Sequence, residues 1–234
     1  MEIIVDLCNQ HHGELKELKR MALSAFTAGA DVVKVQLMDS EKFFGNTDRK
    51  YRDISYEELH EISSYCDFIG VEFMASVFDE ERLEWLDGTY IKRHKIASRT
   101  AAKDPELCEK ILAKGLPTII STGMLPEGEF PFGFDSNIDY LFCVSKYPTF
   151  LHDEQLRKMP KDFADSNFAG YSDHTIGISA ALEAHGRNAK ILEKHYSNNI
   201  FAQSKFEGAH LCSFDQNSLK QFKDLTKELE ILRR

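Results

Sequence analysis

The sequence has few of the features that define secreted, membrane or disulfide-stabilised proteins. Its five cysteines are scattered, and none forms a Cys-x-x-Cys pair; they are Cys8, Cys66, Cys108, Cys143 and Cys212. An odd, scattered set of thiols is typical of a reducing compartment. No apolar run is long enough to span a membrane, and the first residues lack the basic segment of a signal peptide. We therefore expect a cytoplasmic protein without a membrane segment.

Positive charge is also scarce. The chain has 29 Lys and Arg against 38 Asp and Glu, which gives a net charge of -9. This balance argues against nucleic acid or an anionic membrane surface as a partner. An anionic substrate would have to be held by a local cluster of Lys or Arg acting against the overall field. The 234 residues fall in the size range of single-domain α/β barrels.

Short apolar runs rich in β-branched residues alternate with helical patterns along the chain, which is typical of repeated βα units around a parallel sheet. The eight predicted strands lie at about 3–7, 32–37, 71–76, 90–97, 117–121, 140–145, 169–175 and 191–195. Predicted helices lie at 14–29, 55–68, 79–86, 105–114, 152–159, 176–185 and 218–232, with a long loop at 39–53. Residues 125–138 contain prolines and glycines without a helical period. We predict an α/β fold, a (β/α)8 TIM barrel in one domain over residues 1–234, with the fifth helix reduced or missing.

Polar side chains cluster at the predicted carboxyl ends of the strands, the face that carries active sites in such barrels. Lys34 and Lys95 end two different apolar strands and together indicate an anion site. Nearby serines with backbone amides suit a phosphate, or a phosphate and a carboxylate. The alternative is that the lysines extend to solvent and the serines are turn residues.

Two histidines stand at neighbouring strand ends. Because strand side chains alternate with period two, His174 shares a face with Ser172, and His195 shares a face with Glu193. Paired imidazoles with open positions suit a catalytic divalent ion that polarises a carbonyl oxygen or activates water. The alternative is that both rings only pack and form hydrogen bonds in the barrel wall.

Seven short motifs follow one another along the chain. The motifs are AGADVVKVQ at 28–36, GVEFMASVFD at 70–79, KIAS at 95–98, STGM at 121–124, CVSKYPT at 143–149, GYSDHT at 170–175 and EKH at 193–195. Each motif is weak alone, but the ordered set covers nearly the whole chain and resembles the N-acetylneuraminate (sialic acid) synthases.

The resemblance implies a barrel that condenses phosphoenolpyruvate with an aldose, giving a 2-keto-3-deoxy sugar acid and phosphate. It implies that His174 and His195 bind Mn2+, with Mg2+ or Co2+ as alternatives. The residues expected to bind phosphoenolpyruvate are Lys34, Gln36, Lys95, Ser98, Ser121, Ser145, Tyr147 and Ser172. Proton transfer is assigned to Asp6 or Glu72, and Lys34 and Lys95 complete the catalytic candidates.

The chain departs from the pattern of this family at several positions. Asp6 stands where the first strand of the family carries a catalytic Glu, and Arg-Thr at 99–100 replaces a second Glu. Gly-Ala-His at 208–210 replaces the Gly-Pro-Asp of the family. The sequence does not include the small C-terminal antifreeze-like domain, so the resemblance does not imply an acceptor sugar.

Two other functions are compatible with these residues. One is a degenerate barrel that binds its ligands without turnover, as a sensor or assembly subunit, which the lost carboxylates favour. The other is an aldolase that forms a Schiff base through Lys34 or Lys95. Phe130, Phe132 and Phe134 either cover the barrel wall where the helix is missing or form an exposed patch for a partner. A homodimer is also possible.

Overall fold

The computed structural model of the chain describes residues 1–201 and 209–233. Eight parallel strands form a closed barrel in chain order, and β1 pairs with β8 to close it. The strands are β1 Glu2–Asp6, β2 Val32–Leu37, β3 Glu72–Val77, β4 His94–Ile96, β5 Thr118–Ser121, β6 Ile138–Cys143, β7 Gly170–Asp173 and β8 Ile191–His195. The predicted (β/α)8 barrel is confirmed.

Helices cover the outside of the barrel. They are α1 Leu15–Ala28, α2 Ser40–Phe44, α3 Tyr56–Ile69, α4 Glu80–Glu84, α5 Ser98–Lys103, α6 Pro105–Ala113, α7 Ser179–Gly186 and α8 Gln216–Leu232. Local sequence explains where several begin. Ser55 and Glu58 form a capping box at α3, and Asp104 caps α6 ahead of Pro105. No helix among the described residues is long and apolar enough to cross a membrane.

Between β5 and β6 the structure contains no helix, as the sequence predicts. Phe130 packs against Tyr140 and Phe168, with ring centroids 4.9 and 5.4 Å apart, and Phe132 is also packed against the core. These two rings cover the barrel wall where the helix is missing. Phe134 is 63% exposed.

One predicted helix was wrong, and two short helices, α2 and α5, were missed. The predicted helix at 152–159 is only a 3-10 turn, Leu156–Lys158. Asp153 accepts a hydrogen bond from the Gln155 amide, a local turn that competes with helix formation. The predicted loop at 39–53 contains α2, which Asp39 caps, and a 3-10 turn at Lys50–Arg52. Helix α5 was not predicted.

The barrel interior is layered along its axis. A middle layer of apolar side chains fills it, formed by Ile4, Val32, Met74, Ile119, Leu141 and Ile191. Below this layer, Arg93 donates to Glu2 and Glu72 at the amino ends of β1 and β3. Above it, on the side of the carboxyl ends of the strands, lie Asp6, Lys34 and Glu193. The apolar layer therefore separates a structural ion cluster from the polar face.

Candidate active site

A pocket opens at the carboxyl ends of the strands. It is lined by Asp6, Lys34, Gln36, Lys95, Ala97, Ser98, Ser121, Tyr147, Ser172, His174, Glu193, Lys194 and His195. All but two of the predicted site residues are in this wall. The strands bring these residues together because alternate side chains of parallel strands point into the barrel at the same end.

The two lysines of the pocket are held in a buried network with two carboxylates. Lys34 Nζ lies 2.7 Å from Asp6 Oδ2 and 3.4 Å from Glu193 Oε1. Lys95 Nζ lies 3.5 Å from Glu193 Oε2 and donates to Ser121 Oγ at 2.8 Å. Lys34 is therefore neutralised by two carboxylates, whereas Lys95 shares one of them.

Because of this difference, the pKa values of the two lysines shift in opposite directions. Burial opposes the charge of Lys34, but Asp6 and Glu193 outweigh it and raise the pKa of Lys34. Burial dominates at Lys95 and lowers its pKa despite the attraction of Glu193. A dianion placed beside Lys95 would restore the lost solvation of the ammonium group, so the network is suited to anion binding.

Glu193 is the central carboxylate of the network. It accepts a hydrogen bond from Ser172 Oγ at 2.7 Å. Burial raises the pKa of Glu193, but Lys95 and Lys34 together with this hydrogen bond outweigh it and lower the pKa to about 2. Burial likewise opposes ionisation of Asp6, but Lys34 and His195 hold its pKa below its usual range.

Replacing Glu193 with Gln is expected to reduce the acid sensitivity of the fold. Because the folded pKa of Glu193 is depressed, its contribution to stability is complete above its ordinary pKa of 4.5 and is lost as pH falls towards about 2. The free energy of unfolding of the wild type should therefore fall more than that of the variant between about pH 5 and about pH 3. Urea unfolding at the two pH values measures the difference. Glu127→Gln, at an exposed carboxylate, is the control, and equal slopes in all three proteins would contradict the prediction.

The rings of the two histidines that are predicted to bind a metal lie side by side. The ring centroids of His174 and His195 are 5.4 Å apart with an interplanar angle of 29°, and the Tyr147 ring lies 4.2 Å from that of His174. His174 Nδ1 is 2.8 Å from the Val144 carbonyl oxygen, an arrangement that leaves Nε2 as the lone-pair nitrogen. His195 has no hydrogen-bond partner at either nitrogen among the described residues.

A second group of ligand atoms surrounds His195. The ligand atoms of Asp6, Cys8 and His195 all lie within 4.8 Å of one another, and all three residues are buried. Carboxylate, thiol and imidazole are all metal ligands, and the unpartnered His195 nitrogens lack another function here. These residues therefore fit a divalent cation. His195 is common to this cluster and to the predicted histidine pair.

Glu72 does not lie at the pocket, contrary to its predicted catalytic role. It shares the inward face of β3 with Ser76, but it starts the strand, and four residues of strand span roughly 13 Å. Its carboxylate accepts from Arg93 Nε at 2.8 Å at the opposite end of the barrel. Ser145 also lies outside the pocket wall, beside Gly123, where a Cβ atom would lie 2.5 Å from Ser145 Oγ.

The sequence analysis assigned no role to three residues at the site. Period-two alternation already placed Glu193 on the face of His195 on β8, but it did not show that Glu193 contacts both lysines. Cys8 follows the end of β1, and no periodicity rule applies there. Ser76 is a smaller omission, and it accepts a hydrogen bond from Lys34 at 3.2 Å.

The family model of the NeuB family matches residues 21–233 of this chain. The chain belongs to the NeuB family. An N,N'-diacetyllegionaminic acid synthase of Legionella pneumophila is 30% identical over 97% of this NeuB-family chain and 72% of its own length. The N-acetylneuraminate-9-phosphate synthase of Mus musculus is 31% identical over 82% of this chain and 61% of its own length, so the match leaves more than a third of that relative uncovered.

A solved structure supports both fold and family. The N-acetylneuraminic acid synthetase of Leptospira borgpetersenii, crystallised in complex with citrate, superposes with a TM-score of 0.88 at 28% identity. The match covers 99% of this chain and 85% of that one.

The departures from the resembled pattern have defined positions in this NeuB-family chain. Asp6 occupies the strand end at the pocket wall. Arg99 is exposed in the first turn of α5, with its guanidinium 4.4 Å from the Phe43 ring centroid, and Thr100 is buried. The pocket therefore has no carboxylate at 99–100. Residue 208 and the side chains of residues 209 and 210 lie outside the described part of the chain.

Proposed function

We propose that this chain is a phosphoenolpyruvate-dependent synthase that joins phosphoenolpyruvate to an aldose, giving a 2-keto-3-deoxy sugar acid and phosphate. The observation that carries the proposal is the pairing of Lys34 and Lys95 with serine hydroxyls in one pocket, beside His174 and His195. The synthase names of the relatives support the reaction class.

The pocket residues have distinct roles in binding. Lys95 and Ser121 would contact the phosphate or carboxylate oxygens, together with Ser98 and Ser172. Lys34 would add the second positive charge. Gln36 Nε2 donates to Asp6 at 2.9 Å and holds that carboxylate in place. A dianion paired with the lysines would weaken their hold on Asp6 and raise its basicity.

The reaction forms one carbon–carbon bond and one carbon–oxygen bond, and it breaks the carbon–oxygen bond to the phosphate. C3 of phosphoenolpyruvate attacks the aldehyde carbon of the aldose, whose oxygen takes up a proton to become a hydroxyl. Water then adds to C2 and gives up its proton to Asp6 at the pocket wall. The C2–O bond to the phosphate then breaks as the new C2 hydroxyl loses its proton, which leaves the 2-keto group and inorganic phosphate. A divalent cation held by His174, His195 or the Asp6 cluster would polarise the aldehyde oxygen.

Phosphate release tests the proposal. The protein is incubated with phosphoenolpyruvate, a divalent cation and a panel of hexoses, pentoses, hexosamines, N-acetylhexosamines and their phosphates. Release that depends on one aldose supports the synthase. Tight binding of phosphoenolpyruvate without release in any mixture would instead support the ligand-binding barrel, which the missing carboxylate at 99–100 favours.

The lowered pKa of Lys95 is the one observation that favours a Schiff-base aldolase. Treatment with pyruvate and borohydride separates this function from the synthase. A covalent pyruvate adduct on Lys95, detected by mass spectrometry, would support the aldolase. The proposed synthase forms no imine and should remain unmodified.

Replacing Glu72 with Gln is expected to leave kcat and KM for phosphate release within about twofold of the wild type. Glu72 pairs with Arg93 on the far side of the apolar layer, so the substitution does not alter charge at the pocket. Steady-state kinetics measure this, with Arg93→Gln as the matched partner variant. A large loss of kcat in Glu72→Gln with normal folding would restore its catalytic role.

We also propose that residues 1–234 act as one barrel domain in the cytoplasm and that two copies associate through the surface around Phe134. The exposure of this ring is the observation that supports a partner surface. Analytical ultracentrifugation of the protein and of Phe134→Ser tests the homodimer.

A further inference from the structure

The backbone after β1 turns sharply at Cys8. Its φ is 46°, in the left-handed region that few residues other than Gly, Asn and Asp adopt. The Cys8 amide donates to Asp6 Oδ1 at 2.8 Å, which holds the turn against the strand end. The side chain is 3% exposed, and its thiol donates to Asn9 Oδ1 at 2.8 Å. The turn thus places a buried thiol beside the carboxylate of Asp6.

His195 is the second observation that points to a ligand here. It lies opposite Asp6 in the pairing of β1 with β8, and Nδ1 is 3.8 Å from Asp6 Oδ2. The side chain is buried, and neither ring nitrogen has a hydrogen-bond partner among the described residues. Burying two unpartnered ring nitrogens is unfavourable, and a bound cation would remove that cost at one of them.

The spacing of the three side chains suits one cation. The oxygen, sulfur and nitrogen atoms lie within 4.8 Å of one another. Metal–ligand bonds of about 2.0 to 2.3 Å separate ligand atoms by roughly 3 to 4 Å. Small side-chain movements would therefore bring all three atoms onto one ion.

Charge at the cluster is also compatible with a divalent cation. Two cations face it. Lys34 is already matched by Asp6 at 2.7 Å and Glu193 at 3.4 Å, and Arg52 Nη2 donates to Cys8 Sγ at 3.6 Å, where it would stabilise a thiolate. A thiolate at Cys8 would add one further negative charge where the ion sits. The positive charge of the cation and the lysines that the carboxylates and the thiolate do not balance would favour an anionic ligand in the pocket.

We propose that Cys8 provides a thiolate ligand to the divalent cation, together with His195 and Asp6. On binding, the thiol loses its proton to solvent, gives up its hydrogen bond to Asn9 and forms a sulfur–metal bond. Thiolate selects soft or borderline ions, so the site takes Zn2+ or Co2+ in preference to Mn2+ or Mg2+. This inference rests on the cation site of the proposed function and specifies its ligands and its class of metal.

Cobalt spectroscopy tests the ligand directly. The metal-free protein is titrated with Co2+ and its near-ultraviolet absorption is recorded, because a thiolate bound to Co2+ produces a charge-transfer band there. We expect a band that saturates at one equivalent of Co2+. Cys8→Ser should abolish the band and weaken Co2+ binding by at least about 100-fold. Cys108→Ser, at a buried thiol on α6, is the matched control and should keep the band.

A second variant controls for the possibility that Cys8→Ser loses the band because it misfolds. Cys8→Gly suits the positive φ and should fold normally by circular dichroism, yet show no band. Chelator competition should show a larger loss of affinity for Zn2+ than for Mn2+ in this variant. Saturable Co2+ binding without a band, a band that persists in Cys8→Gly, equal losses for both ions, or no Co2+ binding at all would each overturn the proposal. A band without phosphate release in any mixture would contradict the synthase alone, whereas phosphate release with no band would contradict the thiolate alone.

Discussion

Replacing Lys95 with Met is expected to lower kcat/KM for phosphoenolpyruvate by about 30- to 5,000-fold. The range corresponds to about 2 to 5 kcal/mol, the usual cost of truncating one partner of a buried, hydrogen-bonded charge pair. Lys95 is 2% exposed and has one carboxylate neighbour, Glu193, at 3.5 Å, so its ammonium group is available to a ligand. Without the Lys95 ammonium group, the negative charges of Glu193 and of the substrate would be balanced by Lys34 alone.

Initial rates of phosphate release at varied phosphoenolpyruvate concentration measure the effect of Lys95→Met. Lys110→Met removes an exposed lysine of α6 and should stay within about twofold of the wild type. We expect the variant to fold, because Lys34 continues to neutralise Glu193. Circular dichroism checks this and so separates a binding defect from misfolding. A folded Lys95→Met protein with unchanged kcat/KM would exclude Lys95 from the anion site.

Replacing Lys194 with Met is expected to lower the free energy of unfolding by about 3 to 5 kcal/mol, which is typical when one partner of a buried ion pair is removed. Lys194 Nζ lies 2.8 Å from Asp173 Oδ2, and both side chains are 0% exposed. The ammonium group also donates to the Thr175 carbonyl oxygen at 2.7 Å. The variant would leave the charge of Asp173 buried without a cation.

Urea unfolding of Lys194→Met, Asp173→Asn and the double variant forms a cycle that isolates the ion pair. The double variant should recover part of the lost stability, because the unpaired carboxylate is then removed as well. Lys220→Met breaks an exposed pair on α8 and should change the free energy of unfolding by less than about 1 kcal/mol. Equal losses in the Lys194 and Lys220 variants would show that the buried pair is not important for the fold.

Much of the site could be predicted because strands follow a strict rule. Period-two alternation places Lys34, Ser172, His174 and His195 on inward faces, and the structure brings them to one pocket. The same rule turns Lys194 away from its neighbours Glu193 and His195, towards Phe214, whose ring centroid lies 5.5 Å from its ammonium nitrogen. Face selection is local, so the sequence is sufficient to predict it.

Depth along the barrel axis is not local, and there the sequence analysis was wrong. Glu72 and Ser76 share a face, yet only Ser76 reaches the lysines of the pocket. The layer that a residue occupies depends on where its strand begins relative to its neighbours, which the closed pairing of all eight strands sets. The backbone turn at Cys8 and the short 3-10 turn near Asp153 likewise depend on contacts that no hydrophobic period predicts.

The amino-acid sequence alone determined the barrel, its eight strands, the absent fifth helix and the lysines and histidines of the polar face. Each of these follows from a pattern read along the chain: the succession of strand and helix segments, prolines and glycines without a helical period, and period-two alternation within strands. Only the tertiary structure decided that Glu193 joins the two lysines, that Glu72 belongs to the opposite end and that Cys8 meets Asp6 and His195. Those contacts join distant segments, and they form only when strand tilt and stagger set which residues meet in each layer.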